Sequence, residues 1–310
     1  MLHTSKLTSL KRKIAAPRPR SAALCGLLLL FGGVVHAQGG PPFRTDDPET
    51  PGNGHWEINY GWIGDRNPEE GSYELPNVDM NYGWGDRIQL KYELPMAMHE
   101  SREGKGSLVA GPGDSLLGVK WRFFEYVRNA ALKRARNEDV SEPDFSISTY
   151  PQLSLNNPTS SVRRGVVDPG PQFLLPIEAN ARFGPILIDG EVGYWFTNHN
   201  VSQSWIRGLI AGHEFSPKTE VYAEIHDQQD ANRVNGEPKE REATLGLGGR
   251  RGLNRTNTIL LLLMAGRSFQ HVAPENSQPS WIAYVGVQLL LGPHERDTEI
   301  NAYILPQPKP

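Results

Sequence analysis

Residues 54–65, GHWEINYGWIGD, carry Trp56, Ile58, Tyr60 and Trp62 at every second position, with Glu57, Asn59 and Gly61 between them. Successive side chains of a strand point to opposite faces, so this stretch has one aromatic face and one polar face. Alternating or strongly apolar segments of strand length recur at 55–63, 76–84, 87–95, 115–124, 145–153, 172–183, 186–196, 205–215, 219–227, 243–252, 258–267 and 281–291. An even number of such segments fits a single-chain bacterial barrel. Most of them approach the roughly 9–11 residues that a tilted strand needs to cross a bilayer.

The connections alternate as well. Short turns, GD (85–86), GP (184–185), SPK (216–218) and LNRTN (253–257), interleave with longer polar stretches such as 96–114 and 228–242. Short turns on one rim and long loops on the other are the layout of an outer-membrane barrel with both chain ends in the periplasm. Residues 125–144 break the phase: they fall on the short-turn rim yet are long and Ala/Leu/Arg-rich, which predicts a periplasmic helical excursion.

A sandwich or a lipocalin-like barrel shares the period of two. Twelve closed strands, however, enclose a lumen too wide for one dry layer of side chains. The aromatic residues also gather at segment ends, Trp56, Trp84, Phe123, Phe145 and Phe183 toward one rim and Trp62, Phe196, Trp205 and Trp281 toward the other. Two belts at interface height suit a membrane barrel and serve no purpose in a sandwich. The expected fold is therefore all-β, an antiparallel transmembrane β-barrel of twelve strands, with Trp56, Ile58, Tyr60 and Trp62 facing lipid and Glu57 and Asn59 facing the lumen.

Composition agrees. A basic segment, an apolar run over 22–35 too short to span a bilayer, and VHAQ (35–38) read as a signal peptide over 1–37. The single cysteine, Cys25, lies inside it, so the mature chain is expected to have no disulfide or thiol chemistry. Six of the 32 Lys and Arg fall in that segment against none of the 35 Asp and Glu, which leaves a mature charge of −9 and argues against a nucleic-acid partner. The remaining divisions are a Pro/Gly-rich leader at 38–54, the barrel at 55–291 and a tail at 292–310, in which TEINAYIL has the look of one more short strand.

Parity assigns a lumen lining of Glu57, Asp79, Lys91, Glu93, Lys120, Arg122, Glu178, Arg182, Asp189, Glu191, Glu224 and Arg250. Cations concentrate on the third and fourth segments and carboxylates on the seventh and ninth, which reads either as a transverse field across a constriction or as a salt-bridged filling. Segment 205–215 resists parity: either Arg207 and His213 or Ile206 and Ile210 face lipid. The leader, GGPPFRTDDPETPGNG (39–54), reads as a plug anchored by Phe43, with Asp46 and Asp47 on Lys91, Lys120 or Arg122, or else as a disordered periplasmic segment. Its aspartates lack the alternating oxygen ligands of a calcium loop, so neither metal nor cofactor is expected.

Pro151 and Pro176 fall in adjacent segments, where each removes a ladder hydrogen bond, so a bulge or gap is expected between those strands. The readings are a lateral opening for apolar solutes or a harmless irregularity. HES (99–101) has the His-x-Ser spacing of barrel lipid hydrolases, but it falls in an expected loop with no acid or Asn placed to orient His99, and no enzyme activity is expected.

PPFRTDDPE (41–49), VDMNYGWGDRIQLKYELP (78–95), GDSLLGVKWRFF (113–124), YPQLSL (150–155) and LLPIEANARFGP (174–185) resemble the outer-membrane family named for the MetA pathway of phenol degradation. The resemblance implies a Gram-negative outer-membrane barrel acting as a transporter or channel, linked to aromatic-compound catabolism, with no catalytic residues to carry over. The 125–144 excursion and the tail depart from that pattern. The expected function is passive passage of small molecules, aromatic or otherwise apolar, with a closed structural barrel and a lipid hydrolase as alternatives. The expected partners are outer-membrane lipid, small solutes and, during biogenesis, the barrel-assembly machinery; oligomeric state is left open.

Overall fold

The structure, a computed structural model, describes residues 40–292 apart from 103, 105, 130–142, 199–200, 235, 237 and 273–275. The expected signal peptide, most of the expected 125–144 excursion and nearly all of the expected tail lie outside the described residues.

Alternation resolves into one closed antiparallel barrel of twelve strands. They are β1 (Trp56–Arg66), β2 (Glu70–Trp84), β3 (Ile88–Ser101), β4 in two arms (Ser107–Pro112 and Ser115–Tyr126), β5 in two arms (Phe145–Thr149 and Gln152–Leu155), β6 (Gln172–Phe183), β7 (Ile186–Phe196), β8 (Ser204–Ser216), β9 (Thr219–Asp230), β10 (Glu240–Gly252), β11 (Ile259–Val272) and β12 (Asn276–Leu291). Each strand pairs with its sequence neighbours, and β1 closes the ring on β12 from Trp56↔Leu291 to Arg66↔Trp281. Closure joins the first and last strands, while the Ser107–Pro112 arm of β4 pairs with β3 on one side.

The strands run further than the apolar alternation does on the long-loop rim. Residues 96–101 and 107–112, expected as loop, pair as Met96↔Pro112 to Ser101↔Ser107. Backbone pairing does not require apolar side chains, so the ladder continues past the level at which the pattern turns polar. His99 and Ser101 accordingly sit on β3 rather than in a loop. The 156–171 connection contains a single 3₁₀ turn, Val162–Arg164.

The ladder between β5 and β6 stops at Thr149↔Ile177 and resumes at Gln152↔Leu174. Tyr150 and Pro151 therefore stand unpaired against Leu175 and Pro176, an interruption where the prolines withhold their N–H groups. On the lumen side Tyr150 fills the break: fully buried, it accepts a hydrogen bond from Gln89 Nε2 at 3.0 Å and donates to Asn81 Oδ1 at 3.3 Å.

The outer face is apolar and exposed, as with Tyr60, Trp84 (64%), Val119, Ile177, Val192, Leu209 and Leu247. The inner face is buried and divided. Over β2 to β7 it is polar; over β8, β11 and β12 it carries Ile206, Ile210, Leu260, Leu262, Met264, Ile282 and Leu290. This settles β8: Ile206 and Ile210 point inward, and Arg207 and His213 point out.

Candidate functional site

Residues 40–55 do not join the sheet; they enter from the short-turn rim and cross the lumen. At the rim the leader is clasped to the β2–β3 turn: the Gly54 N–H donates to Gly83 O at 2.9 Å, the Gly85 N–H to Asn53 Oδ1 at 2.9 Å and Thr50 Oγ1 to Asp86 O at 2.9 Å. A Cβ on Gly83 would overlap the Gly52 backbone, so only glycine permits this approach. Higher up, Asp47 Oδ1 accepts the Glu49 N–H at 2.8 Å, a local turn of the kind aspartate favours.

At mid-height the leader meets Lys120. Its ammonium lies 2.7 Å from Asp46 Oδ1 and 3.9 Å from both Asp47 Oδ1 and Glu178 Oε2, donates to the Asp47 carbonyl, and stands 4.6 Å from the Tyr150 ring centroid. Burial works against the charge of Asp46, but Lys120 and then Lys91 outweigh it and hold the carboxyl below its usual 3.8. For Asp47 burial wins, and the carboxyl is pushed up despite Lys120. Two barrel carboxylates receive the leader's backbone: Glu224 Oε1 accepts from Arg44 and Thr45 at 2.9 and 2.7 Å, and Glu191 Oε2 from Asp46 at 3.1 Å. Arg44 reaches Glu242 at 2.6 Å and Asp65 at 3.8 Å.

Beyond Arg44 the chain turns back at Gly40–Phe43, closed by the Phe43 N–H on Gly40 O at 3.2 Å. Phe43 stands edge-on to Tyr222, centroids 5.8 Å apart, and packs on both inner apolar clusters, Leu187/Ile210/Tyr222 and the β11–β12 group. A Cβ on Gly208 would overlap Thr45, so the β8 wall is bare where the leader lies against it. Gly83 and Gly208 are contacts that alternation does not reveal, because a missing side chain leaves no mark in a polar/apolar pattern.

Of the residues expected in the lumen, Glu57, Asp79, Lys120, Arg122, Glu178, Asp189, Glu191, Glu224 and Arg250 are buried, and the cations among the twelve have partners. Lys91 pairs with Glu93 at 2.8 Å and Asp79 at 3.4 Å, not with the leader aspartates. Arg122 donates to Asp86 O at 2.7 Å and lies 3.3 Å from Glu125. Arg182 lies 3.4 Å from Glu49 of the leader, and Arg250 is 2.7 Å from Glu220 and 2.8 Å from the Tyr222 hydroxyl. Glu57 accepts from Asn59 at 3.1 Å and Asp189 from Asn180 at 3.0 Å. His99 uses Nε2 on Val166 O at 3.0 Å.

Among the described residues, two cavities beside the leader are small, about 10 Å³ each, one beside Lys91, Lys120 and Tyr150 and one beside Phe43, Tyr222 and Arg250. Each is about the space of one water molecule. Toward the long-loop rim the lumen opens into a polar vestibule of about 490 Å³ lined by Arg44, Asp65, Glu242 and Ser280 among others. Among the described residues no group of three or more His, Cys, Asp or Glu is arranged to hold a metal ion.

Among solved structures, the barrel is similar to the COG4313 outer membrane channel from Pseudomonas putida F1, at 13% identity and a TM-score of 0.62, over 82% of this chain and 100% of that one. It is less similar to the CymD monoaromatic hydrocarbon channel, at 8% identity and a TM-score of 0.41 over 79% and 90% of the two chains. The KdgM porin gives 9% identity and a TM-score of 0.43 over 75% and 98%. No family model matches the chain, and no curated protein matches it. At 13% identity the likeness to the COG4313 channel speaks for the fold alone.

Proposed function

We propose that this protein is an outer-membrane channel for small molecules, closed in the present state by its own leader and belonging to the family of the MetA pathway of phenol degradation that its leader and strand motifs resemble. The observation that carries the reading is the seating of residues 40–55 across the lumen, with about 10 Å³ gaps beside it and a vestibule of about 490 Å³ above. The apolar outer face, with charged inward residues over β2 to β7, supports residence in a bilayer, where a closed barrel satisfies every backbone group. Short turns then mark the periplasmic rim and longer connections the outside.

The inner apolar wall supports apolar or aromatic solutes as the cargo. Leu262, fully buried at the centre of that wall, gives the test. In proteoliposomes holding the form that lacks residues 38–53, Leu262→Asp should slow uptake of a small aromatic solute severalfold and leave a polar solute of equal size unaffected. Equal effects on both solutes would remove the apolar preference, and no uptake above empty vesicles by that shortened form without the Leu262 substitution would favour a closed structural barrel. The break in the ladder at Pro151 and Pro176 supports a second reading, exit of an apolar solute sideways through the wall once Tyr150 moves.

A further inference from the structure

Among the described residues, four outward arginines carried by strands of the long-loop half lie on one arc of the barrel. Arg207 on β8 and Arg241 on β10 flank Asp227 on β9, at 2.9 and 2.5 Å. Arg267 on β11 and Arg66 on β1 are the two cross-strand neighbours of Trp281 on β12, and the Arg267 guanidinium lies 4.5 Å from the Trp281 ring centroid. Phe269, exposed, sits between the two groups opposite Ala243 and Pro279. The facing wall is different: Met96, Leu108, Leu155, Phe173 and Leu175 are its exposed outward residues toward the same rim.

Height fixes what these arginines meet. From Trp56↔Leu291 to Arg66↔Trp281 the β1–β12 ladder spans ten steps. At about 3.3 Å per residue and a tilt of about 40°, that is about 25 Å, the height of the apolar band of an outer-membrane barrel. Arg66 and Arg267, on the Trp281 rung, therefore stand at the outer border of the band, and Arg207 and Arg241 stand two and four residues further toward the long-loop rim, in the headgroup zone. Four guanidinium groups outnumber the carboxylates beside them, Asp227 between Arg207 and Arg241 and Glu100 within reach of Arg66, and planar, multiply donating guanidinium groups match phosphate. Stacking on Trp281 and pairing on Asp227 hold three of the side chains, Arg267, Arg207 and Arg241, in place before any ligand arrives.

We infer that the β8–β12 and β1 arc is a binding site for the phosphorylated glycolipid of the outer leaflet, with Arg66 and Arg267 astride Trp281 and Arg207 and Arg241 beside Asp227 as the phosphate-binding groups. The inference rests on the outer-membrane reading above. Its occupant is a lipid headgroup rather than a free anion, because the arginines lie on a face otherwise made of Trp205, Leu209, Leu245, Phe269 and Trp281.

The test uses the mature chain in phosphatidylcholine nanodiscs doped with lipid A, either bearing its phosphates or dephosphorylated, and reads by native mass spectrometry the lipid A retained on transfer to detergent. The wild type should retain the phosphorylated form preferentially. Each pair, Arg66→Gln with Arg267→Gln and Arg207→Gln with Arg241→Gln, should lower retention by about fivefold per arginine removed, while Arg251→Gln near the opposite rim should change nothing. Equal retention by variants and wild type, equal retention of dephosphorylated lipid A, or displacement of bound lipid by inorganic phosphate would each overturn the assignment. Heat-modifiable migration in every sample separates this outcome from failure of the barrel reading, in which the wild type itself would not insert.

Discussion

The lumen has two walls, and the leader touches each with different chemistry. Over β2 to β7 the wall is charged, and the leader meets it with Asp46 and Asp47 at Lys120. Over β8, β11 and β12 it is apolar, and the leader meets it with Phe43 against Ile210, Tyr222 and the Leu262 cluster. The charged contact is directional and costly to leave unmade, whereas the apolar one is tolerant of small shifts in position. A segment held by both is fixed in register by the first and covered from water by the second.

The comparison can be broken most severely at Lys120. Its side chain is only 2% exposed, and Lys120→Met leaves Asp46, Asp47 and Glu178 without their cation. Removing one partner of a buried pair costs about 3–5 kcal/mol, enough to undock the leader, so in proteoliposomes trypsin should cut after Arg44 where the wild type is protected. On the other wall Phe43→Ala should cost about 1–2 kcal/mol, the worth of a half-buried ring, and raise the rate of the same cleavage about tenfold.

The two aspartates then sharpen the picture, because their shifts have opposite signs. Asp46 titrates below 3.8, so its contribution to docking is complete above that pH and disappears only as pH falls through the lowered value. Asp47 titrates above 3.8, so its charge disfavours docking at neutral pH and the disadvantage fades as it takes up a proton. Asp46→Asn should accordingly loosen the leader equally at pH 7 and pH 5, and Asp47→Asn should leave it as well protected as the wild type or better. The smallest effect is expected at the wall itself. Pro176→Val should change leader cleavage by less than about twofold, since the proline sits at the interruption of the β5–β6 ladder and not at the Lys120 or Phe43 contact, and should slow aromatic uptake only if solutes leave sideways.

The same division explains what the sequence made legible. The charged wall could be read by parity because every inward Asp, Lys or Glu alternates with an outward apolar residue, as in VDMNYGW and LLGVKWRF. The apolar wall could not: in ILLLLMAG and WIAYVGVQLLL both faces are apolar, so alternation vanishes where the inner surface is built to receive Phe43. The same ambiguity at β8 left Ile206 and Ile210 unassigned until pairing with β7 and β9 fixed their direction. The strand ends were cut short because apolar pattern marks the bilayer and not the ladder. The choice of Lys120 over Lys91 as the leader's partner lay beyond parity too, since Lys91 is occupied by Glu93 and Asp79 on its own and the neighbouring strand.

The most direct measurement is single-channel conductance in a planar bilayer of the mature protein, residues 38–310, beside the same protein lacking residues 38–53. With the leader closing the lumen, the intact form should pass little current and the shortened form should conduct severalfold more in steady, long-lived openings. Equal conductance from both forms, with heat-modifiable migration showing both folded, would contradict closure by the leader.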